Sequence, residues 1–151
     1  MTTTAEQSPT VDYGHLEPVF VHFDDLDSMG MVHNTRYPVL VERAMTLFWH
    51  RLGYTYYNRT TGHPDASIAV AEFSIKYLAP VRGTGEVGVH FWTERISDTS
   101  VSYAFRVQSH DGATVHAEGR RVHIRFDVST MRPTTWGEDT LARYEALRQR
   151  D

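Results

Sequence analysis

The sequence contains no cysteine, which excludes disulfide bonds, thiol nucleophiles and thiolate metal sites while leaving the redox compartment undecided. It also lacks any apolar run near the ~20 residues that a membrane-crossing helix requires, so no membrane partner is expected. The opening stretch from Met1 to Thr10 has neither a basic nor an apolar segment, which argues against a secretory signal and predicts a cytoplasmic protein. Positive charge is scarce as well. Fifteen Lys and Arg against 19 Asp and Glu give a net charge of −4, and nucleic acid, whose binding needs a basic surface to displace counterions, is not an expected partner. The nine histidines form no His-x-x-x-His pair on a helix, and no metal site is expected.

What is present is enough for a core. A chain of 151 residues fits one domain, and the organisation expected is a flexible polar tail over residues 1–14 followed by a single domain over 15–151. From Glu17 to Phe23, Val19, Val21 and Phe23 alternate with Phe20 and His22 and predict a first strand. Tyr37, Leu40, Val41, Ala44, Leu47, Phe48 and Leu52 then recur at spacings of three and four, and Met45 and Trp49 widen the stripe. This predicts a helix from about Asn34 to Leu52, apolar nearly all round, capped by Asn34 or Thr35 and stopped by Gly53. The tyrosine-rich segment 54–65 reads as a loop ending in the turn Gly62-His63-Pro64-Asp65.

Four runs of period two follow, near 67–79, 85–97, 100–110 and 114–127. Hairpin-like connections at Asp98 and Asp111-Gly112 predict antiparallel pairing in a four-strand meander. In the last run Val122, Ile124 and Phe126 oppose Arg121, His123 and Arg125, so one face is expected to be core and the other wetter. Leu141, Tyr144 and Leu147 share helical spacing and predict a short helix against the sheet or its edge. A helix apolar on most sides needs cover, and a strongly curved sheet supplies it; the fold class expected is α+β.

Chemistry is concentrated in Asp24-Asp25-Leu26-Asp27-Ser28-Met29-Gly30-Met31-Val32-His33-Asn34, which runs straight into the helix. A carboxylate beside a helix N-terminus can attack an acyl carbon, or activate water against it, while unpaired N–H groups hold the carbonyl oxygen. A thiolate leaves readily because the pKa of its thiol, near 8.5, is far below that of an alcohol, so one carboxylate can suffice for a thioester. By spacing alone, Asp27 fits an ordinary turn acid equally well, and Asp24 and Asp25 read as loop acids or ion-pair partners.

The motif Asp27-x-x-Gly30-x-Val32-x-Asn34-x-x-Tyr37, with Glu42-Arg43 on the helix and Tyr77-x-x-Pro80 after the second strand, resembles the hotdog-fold acyl-CoA thioesterases of the 4-hydroxybenzoyl-CoA thioesterase type, over about residues 17 to 135. The resemblance implies a hotdog fold, a curved antiparallel sheet wrapped around a long central helix. It implies Asp27 as nucleophile or general base and the backbone N–H of Asn34 as the oxyanion contact. Gly30, His33 and Tyr37 would border the substrate, with Gly30 allowing close approach of the thioester. His33 departs from the residues common at its position in relatives, and fits a plain loop histidine equally well. Glu42 is the rival carboxylate, read mainly as a structural ion-pair partner, and Glu72 is expected at a partner or subunit interface.

For the nucleotide end of coenzyme A, Arg82, Arg120 and Arg121 are the candidates. Tyr54, Tyr56 and Tyr57, with Phe48 and Trp49 as rival core residues, could line a chamber for an aryl or bulky acyl group. The expected substrate is an acyl-CoA or an acyl carrier protein thioester, coenzyme A being part of the substrate and no separate cofactor being needed. Exposed sheet edges predict a homodimer, with pairs of dimers as a further step. Two other readings stand beside hydrolysis: a non-catalytic acyl-CoA-binding module, and a hotdog dehydratase or hydratase, which would need a catalytic histidine and acid and of which Gly62-His63-Pro64-Asp65 is only a local echo without the surrounding apolar and glycine pattern.

Overall fold

Alternation of apolar and polar residues forces strands, and spacings of three and four force the helix they wrap. The computed structural model describes residues 10–57 and 60–150. In chain order it contains β1 (His15–Val21), α1 (Tyr37–Arg51), β2 (Tyr56–Tyr57), β3 (Thr60–Thr61), β4 (Ile68–Tyr77), β5 (Gly85–Ile96), β6 (Ser100–Ser109), β7 (Val115–Asp127), β8 (Arg132–Pro133) and α2 (Glu138–Ala146). Residues 1–9 of the expected tail, and Asn58 and Arg59 of the expected loop, lie outside the described residues. At the other end of that tail, Tyr13 packs its ring on His90 and Trp92.

The main sheet has the order β1-β5-β6-β7-β4, with β8 added beside β7, and its pairings are antiparallel. This corrects the four-strand meander. Only β5, β6 and β7 form one; β4 crosses to the far edge and pairs with β7, while β5 pairs with β1. The physical reason lies in residues 78–84, which are too long for a tight hairpin and are drawn instead onto the loop after β1: Val32 N–H donates to Val81 O (2.9 Å) and Gly83 N–H to Gly30 O (2.8 Å). Register shifts at Val70/Glu72, Thr93/Arg95 and Val107/Gln108 add local twist to the curl. The result is the α+β hotdog arrangement, a curled antiparallel sheet with α1 in its concavity.

The core is where that helix meets the sheet. Leu40, Val41, Ala44 and Met45 of α1 pack with Val19, Val21, Val89, Phe91, Phe105 and Val107. The fully buried ones among them contribute roughly 1.5–3 kcal/mol each for a Val, Leu or Phe side chain. Cover is one-sided, however: Glu42, Arg43, Thr46, Leu47 and His50 leave the opposite face of α1 exposed in the single chain, so the helix is not buried nearly all round as expected. The buried Glu17 of β1 pairs with Arg51 and ties the end of the helix to the sheet. Among the described residues no helix is long and apolar enough to cross a membrane.

β7 is inside out relative to expectation. Because Ala117 stands opposite Val107 and Arg121 opposite Tyr103, residues 117, 119, 121 and 123 face the helix, and Val122, Ile124 and Phe126 lie on the convex face, partly exposed. The interior therefore receives an arginine and a histidine, both buried. α2 closes that end of the concavity, with Thr93 Oγ1–H donating to Tyr144 O (2.7 Å).

Candidate active site

β1 stops at Val21, and a single 3-10 turn at Phe23–Asp25 swings the three aspartates to different surroundings. Asp25 is fully buried. Its carboxylate accepts from His22 N–H (2.9 Å), Arg36 (2.8 Å) and Arg43 (3.3 Å), which makes it the anchor of the loop. Burial alone would raise its pKa, but the His22 N–H and the two guanidinium groups hold it below the usual carboxylate value. Asp24 is exposed.

Asp27 is half-buried and fixed by its own loop. Its Oδ1 accepts from Met29 N–H (2.8 Å) and Met31 N–H (3.1 Å), while Oδ2 has no hydrogen-bond partner among the described residues. One oxygen is thus a hinge pin and the other is available. Gly30 closes this turn at φ +74°, a conformation that disfavours any residue with a Cβ; a Cβ there would meet nothing within 4 Å, so backbone conformation and not crowding explains the glycine.

An open groove of about 440 Å³ is lined by Asp27, His33, Asn34 and Tyr37 on one side and by Tyr77 and Pro80 on the other. Asn34 begins a 3-10 turn, Asn34–Arg36, that leads into α1. Neither Asn34 nor Thr35 caps α1, whose N-cap Arg36 makes no side-chain cap; His33 instead caps the 3-10 turn, its Nδ1 accepting from Thr35 N–H (3.2 Å). Asn34 N–H has no acceptor among the described residues and sits at the leading end of the helix, where the dipole adds positive potential. Tyr77 O–H donates to Asn34 O (3.0 Å), and the Tyr37 and Tyr77 rings meet edge to face at 5.2 Å. Tyr37 is 3% exposed and its phenol is pushed up by burial, so it shapes the wall more than it reaches into the groove.

The other candidates scatter. Arg82 is exposed and bridges Met31 through its backbone, beside the Asp27 loop. Arg120 and Arg121 do not act together: Arg120 points to the convex face and pairs with Glu94 (2.9 Å), whereas Arg121 is buried on the concave face. Glu42 pairs with Arg121 (3.0 Å), away from the Asp27 groove, and Glu72 is exposed. His63, in the dehydratase-like stretch 62–65, is not among the residues lining the Asp27 groove; its Nε2 meets Asp139 (2.7 Å) and its Nδ1 accepts from Asp65 N–H (3.0 Å). His63, Asp65 and Asp139 cluster within 4.8 Å. Asp65, however, is taken by Arg125 (2.9 Å) and Gly137 N–H (2.8 Å), so these donor sets already serve the fold.

A second cavity, of about 330 Å³, lies farther along α1 between Trp49, Tyr54, Tyr56, Tyr103, Arg121 and His123. Of the aromatic residues expected around an acyl chamber, Tyr54, Tyr56 and Trp49 line it; Phe48 packs in the core against His15 and Phe91, and Tyr57 is exposed. Arg121 and His123 were not readable as chamber residues, because the parity of β7 depends on its pairing with β6. Burial and the neighbouring Arg121 charge push the His123 pKa down to about 3, so its imidazole is neutral at physiological pH.

Over residues 21–144 the sequence matches the family described as the thioesterase-like superfamily. No functionally curated protein matches it. Among solved structures, the fold is similar to that of a protein from Pseudomonas aeruginosa strain PAO1 (22% identity, 91% of this chain and 93% of that chain covered, TM-score 0.77). It is also similar to a thioesterase from Thermus thermophilus whose crystal structure contains coenzyme A and zinc (25% identity, 90% and 95% covered, TM-score 0.71).

Proposed function

We propose, from the premise that this chain belongs to the thioesterase-like superfamily, that it hydrolyses an acyl-CoA or acyl carrier protein thioester to a free acid and a thiol by the Asp27 chemistry of the 4-hydroxybenzoyl-CoA thioesterase type. The observation that carries this reading is that one groove is lined by both Asp27 and Asn34 at the leading end of α1. With Oδ1 pinned by two N–H groups, Oδ2 is the oxygen that reacts. It either attacks the acyl carbon, expelling the thiolate and leaving a mixed anhydride that water cleaves, or removes a proton from water as that water attacks the same carbon. In both routes the carbonyl oxygen gains charge, and the Asn34 N–H with the helix dipole stabilises it. The thiolate needs no strong acid to leave, in keeping with a groove that offers one free carboxylate oxygen.

The substrate arm fits an open groove better than a closed pocket, and Arg82 beside it is the candidate for the phosphates of coenzyme A. β4 is an edge strand, with Val70 and Tyr77 on it and Leu78 just after it each close to half exposed, and a homodimer joined along it would cover them. The test is release of free thiol from a panel of acyl-CoAs by wild type and Asp27→Asn. Asparagine keeps the oxygen that accepts from Met29 and Met31 but removes the charge, so the expected loss in kcat is about 10²- to 10⁴-fold with the fold intact. Equal rates would exclude Asp27 as the catalyst, and tight binding of acyl-CoA without release by wild type would make the protein a binding module.

A further inference from the structure

Arg121 presents a buried fixed cation to a cavity that its protein partners leave incompletely used. Its Nε donates to His123 Nε2 (2.8 Å) and one Nη to Glu42 (3.0 Å). A guanidinium has five N–H bonds, so three have no protein acceptor among the described residues. The Arg121 side chain is 6% exposed, whereas Glu42, its counter-ion, is 61% exposed at the cavity rim. Asp65, the other acid lining the cavity, is already neutralised by Arg125. His123 spends its Nε2 lone pair on Arg121 and contributes no charge. Tyr103 is fully buried, and its hydroxyl lies beside Trp49 and Tyr144 with no well-formed hydrogen bond.

The Arg121 N–H groups without a protein acceptor therefore open onto the cavity, where a ligand that accepts from them would complete their hydrogen bonding. Trp49, Tyr54, Tyr56 and Tyr144 wall the same space with flat apolar surface. A dry cavity of roughly 150 Å³ already admits benzene, and this one is about 330 Å³.

We infer that this chamber binds an aromatic ring carrying a carboxylate, with the carboxylate on Arg121 and the ring among the tyrosines. The planar fork of Arg121 suits a carboxylate better than a point charge would. The link to catalysis rests on the hydrolase and dimer reading above. Antiparallel self-pairing of the ten-residue β4 about its centre sets Tyr77 of one copy against Ile68 of the other. The groove of one copy ends at Tyr77–Pro80 and the chamber of the other opens at Ile68 and Val70. A thioester held at one Asp27 would then extend its acyl group into the chamber of the second copy, selecting carboxyaryl over plain aryl acyl groups.

The test titrates benzoate and benzamide into the full-length protein by NMR, following the Trp49 indole N–H. Wild type is expected to bind benzoate at least about tenfold more tightly than benzamide, and Arg121→Met to lose that preference. Glu42→Gln removes the competing carboxylate and is expected to tighten benzoate about threefold, a gain that misfolding cannot mimic. Benzoate no tighter than benzamide in wild type overturns the inference, as does a preference that survives in Arg121→Met. Should Arg121→Met fail to fold, unchanged or weaker benzoate binding by Glu42→Gln overturns it instead. These ligands contain no thioester, so the result stands apart from hydrolysis. In a separate arm, kcat/KM for 4-carboxybenzoyl-CoA is expected to exceed that for benzoyl-CoA about tenfold; equal values overturn the selectivity, whereas no release from any thioester refutes the hydrolase reading and leaves the binding site standing.

Discussion

Replacing Asp25 with alanine tests whether the loop that carries Asp27 is held by a buried ion cluster. The Asp25 side chain has no exposed surface, while its partners Arg36 and Arg43 are 30% and 40% exposed. In Asp25→Ala the His22 N–H loses its acceptor at a partly wet site, costing about 1 kcal/mol, the low end for an unsatisfied group. The two guanidinium groups can turn to water, so each lost bond is discounted from the usual charge-assisted value to about 1 kcal/mol. The sum, about 3 kcal/mol, sits at the lower limit for removing one partner of a buried ion pair. Asp25→Asn keeps the shape and one acceptor and is expected to lose about half as much. The assay is urea unfolding, with the midpoint falling and m unchanged. The carboxyl is held below its ordinary value of 3.8, so its contribution is complete at neutral pH and is lost as pH falls through its lowered folded value; the gap between wild type and Asp25→Asn should therefore narrow on acidification below that ordinary value. A loss under about 1 kcal/mol for Asp25→Ala at pH 7 would refute the view that this cluster anchors the loop.

Two further outcomes are expected. Gly30→Ala should cost about 1 kcal/mol in urea unfolding through backbone strain alone, since the added Cβ touches nothing; no loss would contradict the left-handed turn at φ +74°. His123, held near 3 against an ordinary value of 6.5, refuses a proton that the unfolded chain accepts, so stability conferred by the neutral form is full above pH 6.5 and falls on acidification. Relative to His123→Gln, wild type should lose up to about 1.4 kcal/mol per pH unit between about pH 6 and 4, and equal slopes would show that this ring titrates normally.

Much of this protein was legible in one dimension because its elements are defined by local periodicity. The four period-two runs became β4 to β7 with ends shifted by a few residues, and the stripe from Tyr37 to Leu52 became α1. The motif around Asp27 was also local, since its turn is made by hydrogen bonds within five residues. Tertiary structure alone decided that β4 lies at the edge beside β7, because the crossing of residues 78–84 is set by bonds to a loop some fifty residues earlier. It alone decided which face of β7 is interior. Alternation marks two faces but carries no label for which one meets the core; that label comes from the pairing of Ala117 with Val107, and it sends Arg121 and His123 inward against their polarity. A strand's pattern is written in its own residues, whereas its orientation belongs to its neighbours.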